Sequence, residues 1–119
     1  MRIHSTVVGD STLVIQLREE SLDASNVQVF KDEVQALLKN HTRVVFDLEG
    51  VRFIDSSGIG ALLSCMRQMR QRQGEMRLCG LSGTVIALFE LMRLDRVFSV
   101  FATCADATEL EACGGAPRP

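Results

Sequence analysis

Val44-Val45-Phe46-Asp47-Leu48, followed by Val51-Arg52-Phe53-Ile54-Asp55-Ser56-Ser57-Gly58-Ile59-Gly60-Ala61-Leu62-Leu63, is the stretch from which the fold can be read. Its first five residues are nearly all apolar. A run that short and continuous suits a central strand covered on both faces. Past Asp55-Ser56-Ser57-Gly58 the pattern changes. From Ile59, the apolar residues Leu62, Leu63, Met66 and Met69 recur three, four, seven and ten positions on. That period is helical, with Arg67, Gln68, Gln71 and Arg72 on the solvent side and Gly74 as the C-cap. A buried strand followed by an amphipathic helix is the repeating unit of parallel α/β sheets.

Working towards the N-terminus, Val7-Val8 and Leu13-Val14-Ile15-Gln16-Leu17 flank the turn residues Gly9-Asp10-Ser11 and predict a hairpin. In Leu22-Asp23-Ala24-Ser25-Asn26, either Asp23 or Ser25 can cap a helix carrying Val27, Phe30, Val34, Leu37 and Leu38, which Asn40-His41 ends. Towards the C-terminus, Met76–Gly80 reads as a strand. Val85, Leu88, Phe89 and Met92 read as a helix capped by Ser82 or Thr84. Val97–Phe101 is a last strand, and a short helix runs from Asp106 to Ala112. The order β-β-α-β-α-β-α-β-α predicts an α/β fold. A mostly parallel central sheet with an N-terminal hairpin packs against about four helices. Residues 1–112 form one domain, and the Gly- and Pro-rich tail, residues 113–119, is expected to be disordered. Met66, Met69 and Met92 are expected in the core, and Arg67, Arg70, Arg72 and Arg77 on a solvated basic face.

A chain of 119 residues fits a single domain, and 46% apolar with 24% charged residues is ordinary for a soluble one. A net charge of −2 argues against a nucleic-acid partner, and the absence of Trp and Tyr removes the best stacking platforms. Met1-Arg2-Ile3-His4-Ser5-Thr6 lacks a signal-peptide pattern, and no apolar run approaches the ~18 residues of a spanning helix. No membrane insertion and a cytoplasmic location are therefore expected. Cys65, Cys79, Cys104 and Cys113 form no CxxC pair, and His41 is far from all of them in sequence. The spacing predicts no metal site and no cofactor, only reduced thiols of which two or three are buried.

An enzyme is not expected. A nucleophilic serine needs a base, and the histidines are His4 and His41. Asp55-Ser56-Ser57-Gly58-Ile59-Gly60 is neither a G-x-S-x-G elbow nor a complete dinucleotide fingerprint, and no Gly-Lys-Ser/Thr follows it. The Asp-Ser-Ser-Gly junction sits at a helix start, where the dipole and unpaired N–H groups favour negative charge. Local spacing fits plain N-capping; it also fits a serine whose phosphorylation would alter the surface potential. Gly58 and Gly60, so early in a helix, are expected to serve close backbone approach to the sheet or to a partner.

The two long segments Val44–Leu63 and Ala87-Leu88-Phe89-Glu90-Leu91-Met92-Arg93-Leu94-Asp95-Arg96-Val97-Phe98 resemble the STAS domain of bacterial anti-sigma factor antagonists. The resemblance extends from about Ile3 to about Leu110. It implies a protein whose unphosphorylated form binds an anti-sigma factor that is also a serine kinase, releasing the sigma factor. Phosphorylation switches the binding off, and a metal-dependent serine phosphatase restores it. The resemblance makes Ser56 the phosphoacceptor. It puts Asp55, Ser57 and Gly58, with Ile59 and Gly60 beyond them, in the partner-binding surface, and Asp23 near the kinase. Leu81-Ser82-Gly83-Thr84 departs from the polar, Asn/Pro-containing loop common in the family. The same domain also serves as a non-switching subunit of signalling or lipid-transport assemblies, which is the alternative reading.

Overall fold

The computed structural model describes residues 1–9 and 11–108. Asp10, the end of the expected last helix and the tail fall outside the described residues. The hairpin forms as expected: β1 (Ile3–Val8) pairs antiparallel with β2 (Thr12–Leu17), Ile3 opposite Leu17 and Val8 opposite Thr12. The chain continues through β3 (Ser21–Leu22), α1 (Val27–Leu38), β4 (Arg43–Asp47), β5 (Phe53–Ile54), α2 (Ser56–Gln71), β6 (Glu75–Cys79), α3 (Gly83–Leu91), a 3₁₀ turn (Leu94–Arg96), β7 (Ser99–Phe101) and α4 (Cys104–Thr108). The main sheet has the order β1-β2-β4-β6-β7 and is parallel from β2 to β7.

Alternation along the strands sorts the core. Leu13, Ile15, Leu17, Val44, Phe46, Met76 and Leu78 face the large core beneath α1, α2 and α3, where the Phe30 and Phe46 rings lie 6.0 Å apart. Val45, Cys79 and Phe101 point the other way, against Ala107 of α4. Strand β4 is thus central and covered on both faces, which is why its sequence is a continuous apolar run.

The structure corrects several expectations. Neither Asp23 nor Ser25 is the N-cap of α1. Asn26 holds that position, and its amide group instead donates to the Ser21 carbonyl and accepts from the Asp23 N–H. At the end of α2, Gln73 and not Gly74 takes the left-handed conformation, with φ of 59°. The Gly74 N–H closes the helix on the Met69 carbonyl at 2.7 Å. A Cβ on Gly74 would lie 2.7 Å from the Thr42 carbonyl oxygen, so this glycine provides clearance. Ser82, rather than Thr84, caps α3 through the Val85 N–H. Strand β7 starts two residues later than expected because Leu94–Arg96 coils first, and α4 starts earlier, at Cys104. Met92 is 49% exposed, whereas Met66 and Met69 are core.

The basic face also divides. Arg67 and Arg70 are exposed. Arg72 turns back to donate to the carbonyls of Leu38, Lys39 and His41, which satisfies the unpaired C-terminal groups of α1. Arg77 is buried at 4% exposure. It pairs with Glu75 at 2.6 Å, donates to the Ala107 carbonyl and lies over the Phe101 ring. A guanidinium out of water needs such partners.

The two early glycines of α2 differ in kind. A Cβ on Gly58 would come within 2.5 Å of the Leu22 carbonyl oxygen and 2.8 Å of Ile54 Cγ2, whereas one on Gly60 would meet no heavy atom within 4 Å. Close packing against the small sheet therefore explains Gly58 and not Gly60. Gly58→Ala is expected to cost about 1–3 kcal/mol through overpacking. Gly60→Ala is expected to gain up to about 1 kcal/mol from helix propensity. Urea denaturation of the two variants checks the opposite signs.

Candidate functional site

The site is built by a pairing only two residues long. Strands β3 and β5 run parallel, Ser21 beside Phe53 and Leu22 beside Ile54. The Arg52 N–H donates to the Glu20 carbonyl at 2.7 Å, and the Asp55 N–H to the Leu22 carbonyl at 3.2 Å. The next residue on each chain is an aspartate, so the register carries the Asp23 turn to the start of α2.

Asp55 is the N-cap of α2, with extended backbone. Its Oδ1 accepts from the Gly58 N–H at 3.0 Å, as a cap should. Its Oδ2 accepts from the Ala24 N–H at 3.2 Å, across the gap to the β3–α1 turn. One carboxylate thus ties the helix start to the neighbouring loop. In that loop, Asp23 Oδ1 accepts from both the N–H and the hydroxyl of Ser25, and Oδ2 from the Ser21 hydroxyl. The Ser25 hydroxyl, then the Ser21 hydroxyl and the Ser25 amide, hold the Asp23 carboxyl below the usual carboxylate range.

Ser56 is the first residue of α2 and is exposed; Ser57 is half-buried. The bond from Ala24 to Asp55 therefore sets the Asp23 turn against the start of α2, where Ser56 stands. Gly58 and Ile59 are buried, and Ile59 belongs to the core, so they shape the surface from beneath. Gly60 is exposed. Sequence reasoning missed Phe53, which stands 54% exposed on β5, two residues before Asp55. The signal was present: Phe53 out and Ile54 in is the two-residue period of a strand, but over a segment too short to register.

A second cluster lies elsewhere. The ligand atoms of Asp47, Cys79 and Cys104 fall within 4.8 Å of one another. Sequence spacing missed it because parallel pairing, not proximity along the chain, sets Asp47 beside Cys79. Burial is the main cause that raises the thiols of Cys79 and Cys104 above the usual range; the hydrogen-bonded Cys104 thiol raises Cys79 further while the same bond lowers Cys104, and the carboxylates of Asp47 and Glu49 raise both. Cys65, in the main core, is pushed up to about 12, again chiefly by burial. Among the described residues, no helix is long and apolar enough to cross a membrane.

The STAS domain family model matches residues 4–107. The anti-sigma F factor antagonist of Lysinibacillus sphaericus is 31% identical over 96 residues, covering 79% of this chain and 81% of its own. The anti-sigma-B factor antagonist of Listeria monocytogenes is 37% identical over 54 residues, 45% of this chain and 47% of its own. An anti-sigma-factor antagonist (STAS) domain protein from Planctomyces limnophilus has the same fold, with a TM-score of 0.82 at 26% identity over 94% of this chain and 97% of its own. SpoIIAA of Bacillus matches at 25% identity over 96% of this chain. Its unphosphorylated form gives a TM-score of 0.65 over 96% of its length, and its phosphorylated form 0.64 over 98%.

Removing the Asp55 carboxylate leaves the Gly58 and Ala24 N–H groups without their acceptor. Asp55→Ala is expected to cost about 1–2 kcal/mol, the range of a lost N-cap. Hydrogen exchange of the Gly58 and Ala24 amides should accelerate together. Faster exchange at Gly58 alone would show that Asp55 does not join the two segments.

Proposed function

This chain belongs to the STAS domain family, and from that premise we propose that it is an anti-sigma factor antagonist switched by phosphorylation of Ser56. Its partner in this reading is an anti-sigma factor with serine kinase activity, in the cytoplasm. The unphosphorylated form binds that partner and frees the sigma factor; a serine phosphatase resets the switch. The protein acts by binding and not as an enzyme. Its relatives carry the names of anti-sigma factor antagonists, which are regulators.

One observation carries the reading. An exposed serine hydroxyl stands at the first position of α2, directly after Asp55 and beside the Asp23 turn. A kinase needs an accessible hydroxyl, and a switch needs a place where added charge changes recognition. A phosphoryl group adds about −1.5 to −2 charge. Asp55 takes the Gly58 N–H, and the first helical N–H groups remain to offset part of the new charge. Folding is then little affected. Outside, three negative groups stand together where one neutral hydroxyl and two engaged carboxylates stood before.

A partner surface fitted to the neutral form would have to take up a dianion next to fixed carboxylates. The desolvation and repulsion make this unfavourable. Phe53, exposed on β5 three residues before Ser56, offers an apolar anchor at this end of the sheet. The phosphorylated form of SpoIIAA matches this fold as closely as its unphosphorylated form, which fits a modification that leaves the fold in place.

The partner is recovered by pull-down from native lysate with wild type and Ser56→Asp side by side. Phosphopeptide mapping after kinase treatment is expected to find phosphate on Ser56 and not on Ser57. In calorimetry against the recovered kinase, phosphorylation is expected to weaken binding more than a hundredfold, about 3 kcal/mol. Ser56→Asp should lose part of the affinity. Ser56→Ala should bind like wild type and resist inactivation. Thermal melts of all forms should agree within a few degrees. Equal affinity of the wild-type and phosphorylated proteins would leave the non-switching subunit as the better reading.

A further inference from the structure

We propose that Asp47, Cys79 and Cys104 form a binding site for one thiophilic divalent cation, with zinc as the type ion. The site lies at the C-terminal ends of β4 and β6 and shares no residue with the start of α2.

The convergence is a product of rigid elements. Asp47 is the last residue of β4 and Cys79 the last of β6, and they are direct partners in the parallel pairing. Cys79 is in turn the partner of Phe101 on β7, and Cys104 opens α4 three residues later. Helix α4 is pinned in place. Ala107 is buried against Val45, Cys79 and Phe101, and its carbonyl accepts from Arg77 at 3.1 Å. Sites on strands and pinned helices hold ligand geometry better than sites on loops.

The donors also suit the ion. Two sulfurs and a carboxylate oxygen form a mixed soft and hard set that favours zinc over calcium or magnesium. With Zn–S near ~2.3 Å, a tetrahedral ion brings two sulfurs to about 3.8 Å apart. The ligand atoms already lie within 4.8 Å of one another, about 1 Å beyond the spacing that a bound ion sets. Three protein donors leave the fourth position for water, on the half-buried side of Asp47 and Cys104.

The surroundings orient the carboxylate. The Glu49 N–H donates to Asp47 Oδ1 at 3.0 Å, the kind of outer contact that fixes a ligand. Gly80, directly after Cys79, has a left-handed φ of 73°, and a Cβ there would lie 3.0 Å from Asp47 Oδ1. Charge points the same way. The Glu49 carboxylate acts on both thiols. Arg77, on the same face of β6, is committed to Glu75 and the Ala107 carbonyl. Binding exchanges the two thiol protons for the ion and releases both to solvent.

The test uses the full chain, reduced with a phosphine, stripped with a chelator and titrated with cobalt(II). One ion per chain is expected, with sulfur-to-cobalt charge-transfer absorption and the intense visible bands of a tetrahedral site. Zinc(II) should displace it, and a pH indicator should register two protons per ion. Cys104→Ser and Asp47→Asn should each weaken binding tenfold or more, while Cys113→Ser leaves it unchanged. Zinc should raise the melting temperature of wild type and not of Cys104→Ser. The metal-free melts of wild type and Cys104→Ser should coincide, confirming the fold of the variant. No charge-transfer band, a band that survives Cys104→Ser, or one that needs Cys113 and two chains per ion would overturn the proposal. So would a protein that cross-links Cys79 to Cys104 on mild oxidation yet binds no ion when reduced.

Discussion

The Asp55 carboxylate accepts from Gly58 on one side and Ala24 on the other, and the start of α2 and the Asp23 turn are arranged around those two bonds. The first starts α2. The second fixes the Asp23 turn, 31 residues away in the chain, against that start. An N-cap carboxylate of this kind contributes about 1–2 kcal/mol in all, and here it holds two segments rather than one. Plain capping and participation in a docking surface therefore are not competing roles for Asp55. The same carboxylate that completes the helix sets the position and exposure of Ser56, and its charge confronts any phosphate placed there.

That arrangement rests on Gly58. The carbonyl of Leu22 approaches α2 so closely that any side chain at position 58 would meet it. Backbone contact at this distance keeps β3 against the helix, and β3 positions the Asp23 turn. Gly60, two residues on, faces open space. Its lack of a side chain has no counterpart within the fold, and a flat helix surface beside Ser56 is its consequence.

What the sequence disclosed follows from how far each signal extends. Strand β4 and helix α2 were legible because burial on two faces and a 3.6-residue period each leave long, redundant patterns. The hairpin was legible from its turn residues. Strands β3 and β5 were not, because two residues carry no period, yet their pairing unites Asp23 with Asp55. Arg72 and Arg77 looked like solvent-facing charges. Carbonyls of α1 take up one, and Glu75 with Ala107 the other, and such partners are visible only in three dimensions. Met92 fitted a helical stripe, but α3 ends at Leu91, so the residue falls beyond the face that the core covers. The convergence of Asp47, Cys79 and Cys104 was not legible either, since spacing rules count short separations and a parallel sheet brings together residues some thirty apart.

The sheet thus has two chemically different places for charge. At the start of α2, the Asp55 carboxylate is satisfied by backbone N–H groups, Ser56 is exposed, and added negative charge would alter the surface potential. At the ends of β4 and β6, carboxylates and thiols crowd together beneath α4, and added positive charge would relieve the crowding. The first group lies on the surface of a finished fold, so its modification can act on recognition with little effect on stability. The second joins the sheet to α4, so an ion there would be linked to the packing of Val45, Phe101 and Ala107. The two places rest on different elements, the first on β3, β5 and the start of α2, the second on β4, β6 and α4.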